Sequence, residues 1–120
     1  MNNYILEKRT SENIAYDVDC TNILDINEVI TSITSVTSDQ TGLTIVSPAI
    51  NTVPVTFSDG SIAEIGKVIS IHISAGTVPT GATNQFYTIR PLFVTSEGNI
   101  REATVILNVT NIPFQTGRVI

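Results

Sequence analysis

Residues 85–110 read QFYTIRPLFVTSEGNIREATVILNVT, and the fold turns on how this stretch pairs with itself. Two runs rich in β-branched and aromatic residues flank Ser96-Glu97-Gly98-Asn99, the composition of a β-hairpin. A two-residue Glu97-Gly98 loop would set Tyr87, Ile89, Pro91 and Phe93 on the face of Asn108, Ile106, Thr104 and Glu102. One further loop residue sets them beside Val109, Leu107, Val105 and Ala103 instead, and the face becomes continuously apolar. A slip of one residue turns every side chain over, so the pattern selects the longer loop or a bulge at the turn. Thr88, Arg90, Thr104 and Asn108 then point outward, as an antiparallel sheet with one wet face requires.

Upstream of the hairpin, residues 1–13 mix Tyr4, Ile5 and Leu6 with polar and charged residues and read as an arm or lead-in strand. Ile14, Tyr16, Val18 and Cys20 alternate with Ala15, Asp17 and Asp19, which predicts a strand with the first set inward. Asn22 to Asn27 reads as a loop or a short helical turn. Glu28 to Thr37 reads as a strand whose inward face the pattern does not fix. Ser38 to Gly42 is a turn, Leu43 to Val46 a short strand, and Ser47-Pro48 its break, because proline cannot donate to a ladder.

Val53, Val55 and Phe57 predict a strand ending at the Asp59-Gly60 turn, and Ile69, Ile71, Ile73 and Ala75 mark the next within 62–75. Gly76 to Asn84 is a loop, and Asn111-Ile112-Pro113 ends the sheet. About seven strands with regularly spaced turn signals predict an all-β chain folded as one antiparallel β-sandwich. Its expected limits are 14–110, with an N-terminal arm over 1–13 and a C-terminal tail over 111–120.

Composition sets the chemistry this chain can support. Its 120 residues suffice for one core without disulfides or metals. Charged residues make up only 14%, and the net charge of -5 argues against a nucleic-acid groove, which needs clustered Lys and Arg. Cys20 is the single cysteine, so no internal disulfide forms; it reads as a small core residue in a protein assembled in a reducing compartment. MNNYILEKR has no apolar secretory core, and no apolar run reaches the roughly 20 residues of a membrane helix. The Asn108-Val109-Thr110 sequon falls within a predicted strand, where glycosylation is not expected.

Candidate catalytic and metal chemistry is sparse. Asp17, Asp19, Asp25 and Glu28 are the densest acidic group, but no glycine turn follows and Asp17 and Asp19 alternate on a strand. That spacing favours a solvated strand face over a calcium loop. His72, the single histidine, lies between Ser70 and Ser74 on a polar strand face, without a nucleophile elbow or a second metal ligand nearby in sequence. No phosphate-binding loop is present. The expectation is a non-enzymatic protein with no catalytic residues, metal or cofactor.

The order of features resembles a family of small immunoglobulin-like proteins from tailed-bacteriophage structural gene clusters. The likeness rests on Tyr16-Asp17-Val18-Asp19, Ile33-Thr34-Ser35-Val36-Thr37-Ser38, Gly42-Leu43-Thr44-Ile45 and Ser74-Ala75-Gly76-Thr77. It continues through Phe86-Tyr87-Thr88-Ile89, Val94-Thr95-Ser96-Glu97-Gly98-Asn99 and Val105-Ile106-Leu107-Asn108-Val109, and spans about Lys8 to Thr110. In immunoglobulin-like sandwiches a tyrosine near the position of Tyr87 bonds back to the backbone as a corner. Tyr87 reads equally well as an ordinary core aromatic, and the Cys-Trp-Cys core of true immunoglobulin domains is absent.

The resemblance implies a virion structural protein assembled in the host bacterial cytoplasm, a tail or neck adaptor that seats fibres, or else a capsid decoration protein. Its expected partners are other virion proteins (portal, neck, tail, fibre or capsid), and it is expected in several copies, with neither nucleic acid nor membrane. A carbohydrate-binding or adhesin module is the alternative of another class, though the chain has no Trp for an aromatic platform. Tyr4, Ile5, Leu6, Phe114, Val119 and Ile120 are apolar residues outside the expected core and are the candidates for docking onto neighbours.

Overall fold

The computed structural model describes residues 5–111, an all-β chain with one turn of 3-10 helix at Thr21–Ile23. The strands are β1 (Ile5–Arg9), β2 (Ile14–Asp19), β3 (Ile30–Ser38), β4 (Leu43–Ile50) and β5 (Val55–Thr56). They continue with β6 (Ile62–Ala63), β7 (Val68–Ala75), β8 (Asn84–Thr95), β9 (Ile100–Glu102) and β10 (Val105–Thr110). One sheet runs β1-β10-β8-β3, with β9 also on β8; a second runs β2-β7-β4; β5 and β6 form a small hairpin. All pairings are antiparallel except β1 with β10.

The hairpin adopts the longer loop. Leu107 pairs with Tyr87, Val105 with Ile89 and Arg101 with Phe93, which leaves Ser96-Glu97-Gly98 as a three-residue turn between Thr95 and Asn99. Tyr87, Ile89, Pro91 and Phe93 are buried, as are Leu107, Val109 and Ala103. Pro91 has no amide to donate, and the ladder breaks there: β9 and β10 are separate strands, joined at the break by Ala103 N–H donating to Pro91 O (3.0 Å). Facing this layer, the second sheet contributes Val18, Ile69, Ile71 and Ile73, and the two inner faces close on one apolar cluster. Cys20 belongs to that cluster, and burial pushes its thiol up to about 12.

Two sequence expectations change, and an open one is resolved. β4 does not stop at Ser47-Pro48; it continues to Ile50 across a bulge between Val46 and Ala49, with Ser47 at φ 54°. A bulge on an edge strand accommodates a residue that cannot donate. The strand expected over Val53 to Phe57 shrinks to Val55–Thr56, and Val53 is exposed. Ile5–Arg9, within the lead-in segment, is an edge strand of the first sheet. Lys8 lies buried on it and donates across the sandwich to Ala75 O.

Tyr87 ties the loop between β7 and β8 to the core. Its hydroxyl donates to Thr77 O (2.7 Å) and accepts from Thr77 N–H (2.9 Å), ten residues upstream. Tyr87→Phe keeps the ring and strands both backbone groups, so it should cost about 2 kcal/mol, read as a shift in the urea midpoint at unchanged slope. A midpoint equal to that of wild type would show that the bond adds nothing.

Candidate docking site

One end of the sandwich, where β2 leaves for β3 and β6 leads into β7, is built on two polar nodes. The first is Glu28, fully buried. Its Oε1 accepts from Asp25 N–H (2.9 Å) and Arg101 Nε (3.0 Å), and its Oε2 from Thr95 Oγ1 and Asn99 Nδ2 (2.9 Å). Burial alone would raise this carboxyl; the bonds from Thr95, the Asp25 amide, Asn99 and Arg101 outweigh it and hold it at about 2. Glu28 therefore fastens the 25–28 loop to the hairpin turn of Thr95–Asn99.

The second node is Asn51. Its Oδ1 accepts from the amides of Gly66 (3.0 Å), Lys67 (3.1 Å) and Val68 (3.0 Å), while its Nδ2 donates to Val53 O (2.8 Å) and Glu64 O (2.9 Å). These bonds shape the 64–67 turn. Gly66 sits there at φ +81°, and a Cβ on it would come within 2.8 Å of Val29 Cβ. No side chain fits that approach.

Between the two nodes lies an open cleft of about 150 Å³. Leu24, Ile26 and Ile62 line it with apolar surface, Asp25 and Glu64 supply acid, and Lys67 lies at its base. The Lys67 amine is spent within the protein, donating to Ile26 O (3.1 Å) and Asp25 O (3.3 Å). Ile26 is 88% exposed and Ile62 66%, an unusual cost for two isoleucines on one cleft.

Glu97 lies beside Asp25. A hydrogen bond with Asp25 first, then burial and the charges of Asp25 and Glu28, raise its carboxyl, with Arg101 opposing. Carboxylate oxygens of Asp25, Glu28 and Glu97 all lie within 4.8 Å of one another. Arg101 already supplies positive charge here, reaching Glu28 and, at 3.6 Å, Asp25. The four acids grouped in the sequence are thereby divided. Asp25 and Glu28 meet the hairpin turn, while Asp17 accepts from Ser70 Oγ (2.6 Å) and Asp19 from Thr21 (3.0 Å), both exposed on β2. His72 is half-buried on β7, paired with Ala15 and Val46.

Of the residues proposed for docking, Ile5 faces out at 54% exposure, and Leu6 packs against the core opposite Leu107. Tyr4, Phe114, Val119 and Ile120 lie outside the described residues. Sequence reasoning passed over Ile26, Ile62, Glu97, Arg101, Lys67 and Asn51. For Ile26 a signal existed, an isolated aliphatic in the polar loop Asp25-Ile26-Asn27. Arg101 and Glu97 are joined to Glu28 across about seventy residues of chain, and no local spacing marks that.

The Glu28 node predicts a pH dependence. Its carboxyl titrates near 4.5 ordinarily and at about 2 when folded, so its stabilising contribution is full above the higher value and lost as pH falls through the lower. Urea midpoints measured from pH 6 to pH 2 should fall across that window in wild type and fall less in Glu28→Gln, which starts lower. Parallel curves would contradict the assignment.

No protein-family model matches the chain, and no curated protein matches it.

Proposed function

We propose that this chain is a non-enzymatic structural component of a tailed-bacteriophage virion, an immunoglobulin-like sandwich that acts as a tail or neck adaptor. In this reading the sandwich is a rigid body and the terminal segments dock it onto neighbouring virion proteins.

The strand order supports the immunoglobulin-like part. β3, β8 and β10 form one layer and β2, β7 and β4 the other, with β1 running parallel to β10 at the edge of the first. That is the pairing expected of such a domain, and Tyr87 bonds back to Thr77 as a tyrosine corner would.

The observation that carries the docking part is the contrast between a closed core and exposed aliphatics. Ile5, Ile26 and Ile62 stand in solvent while Lys8, Glu28 and Lys67, the buried charged groups among the described residues, are engaged in holding strands and loops. Exposed aliphatics on a rigid frame suit a protein that is completed by its neighbours.

Removing residues 112–120 tests the reading. The truncated protein should keep the wild-type circular dichroism and melting behaviour, yet be missing from particles assembled in its presence. Particles that take up the truncated chain at wild-type copy number would end the docking reading.

A further inference from the structure

Resting on that reading, we infer that the Ile26–Ile62 cleft is the acceptor for residues 112–120 of a second copy of this chain, which makes the assembly head-to-tail. Charge and polarity match. The tail, Ile-Pro-Phe-Gln-Thr-Gly-Arg-Val-Ile, carries four large apolar side chains and one charged side chain, Arg118, and no acidic side chain. The cleft offers apolar walls from Leu24, Ile26 and Ile62 with Asp25 and Glu64 among them, and Glu97 lies beside Asp25. Its two nearby cations are already committed, Lys67 to backbone carbonyls and Arg101 to Glu28 and Asp25. The four carboxylates of Asp25, Glu28, Glu64 and Glu97 outnumber these two cations, so an incoming guanidinium would meet net negative charge. It would also separate Asp25 from Glu97, whose carboxyls crowd each other.

Reach decides between one chain and two. Asn111, where the described chain ends, donates to Thr83 O beside the start of β8. The cleft lies at the opposite end, where Thr95 closes β8 against Glu28 and Ile30 donates to Gly66 O. The twelve residues of β8 separate the two ends by about 36 Å. Seven residues from Asn111 to Arg118 span at most about 25 Å. The Arg118 of a given copy falls short of its own cleft, but it can enter that of the copy stacked on it. Donor and acceptor are different surfaces, so the contact is heterologous: it propagates as a filament or closes as a ring, depending on the rotation between copies.

A mixing experiment with full-length chains tests this. Ile26→Asp disables the cleft at a residue that is 88% exposed, so folding is spared, and Phe114→Asp disables the tail. Native mass spectrometry of wild type should give a ladder of multiples of the 12.9 kDa chain. Each variant alone should remain a single chain, with self-association weakened roughly tenfold or more. An equimolar mixture should recover dimers containing one of each variant and no longer species, because such a pair holds one sound cleft and one sound tail. A second cleft variant, Glu64→Arg, should also fail alone and be rescued in the same chain by Arg118→Glu.

If the cleft variants assemble like wild type while the tail variant does not, the acceptor lies elsewhere; this inference falls and tail docking stands. A wild-type chain that stays single at every concentration overturns self-docking, and incorporation into particles then judges the broader reading separately.

Discussion

Asn51→Leu should lower the unfolding free energy by about 3 kcal/mol, among the larger single losses in the chain. Leucine nearly matches asparagine in volume and carries neither acceptor nor donor. Three amides that converge on Oδ1 at 3.0–3.1 Å would lose it, Gly66 keeping only its longer bond to Asn51 O (3.3 Å) and Lys67 its bond to Glu64 O (3.2 Å), and the carbonyls of Val53 and Glu64 would lose Nδ2. Each stranded group costs about 1–3 kcal/mol where water cannot replace the partner, and the exposed side of the 64–67 turn admits some water, which keeps the sum below the maximum. Asn51→Asp separates the two halves of the node. It keeps an oxygen for the amides but turns a second one toward two carbonyls, so it should fall between wild type and leucine. Chemical denaturation at pH 7 reads both variants; an Asn51→Leu midpoint within experimental error of wild type would mean the turn holds without this side chain.

Phe93→Ala should cost about 4 kcal/mol. The ring is fully buried on β8, pairs with Ile33 on one side and Arg101 on the other, and belongs to the central cluster. Truncation leaves a cavity in the layer next to the Glu28 node, which can collapse little because Arg101 is fixed by Glu28. Phe93→Leu, which fills most of the volume, should cost about 1–2 kcal/mol. The ordering alanine, leucine, phenylalanine in urea midpoints checks the placement, and an exposed or loosely packed ring would give three similar values.

Phe93 also illustrates what was legible in the chain. Along β8 and β10 large apolar residues fill every second position on the face of Tyr87 and Leu107, and only a register that buries that face satisfies both strands, so the hairpin and its loop could be read from residues alone. β3 was not legible in the same way. Register shifts at Ile30/Ser32 and Ile33/Ser35 space its inward side chains three apart, at Ile30, Ile33 and Val36, and a two-residue period cannot describe them. Pro48 misled for a related reason, since an edge strand with a bulge tolerates it.

The candidate site was less readable than the fold. Asp25 and Glu28 stood out as acids, but their meaning depends on Arg101, Thr95 and Asn99, which only the sandwich brings within 3 Å or so. Ile26 and Ile62 are ordinary residues in ordinary turns until the fold places them on one cleft. Asn51 carried no signal, because an asparagine before a turn is common and four of its five partners lie 13 to 17 residues away.

If copies of this chain complete one another through tail and cleft, the mass of the purified protein depends on its concentration. Light scattering over a hundredfold range of concentration should show the mass climbing from 12.9 kDa in multiples of the chain, and climbing less in high salt because Arg118 meets carboxylates at the cleft. A mass fixed at 12.9 kDa across the whole range would contradict it.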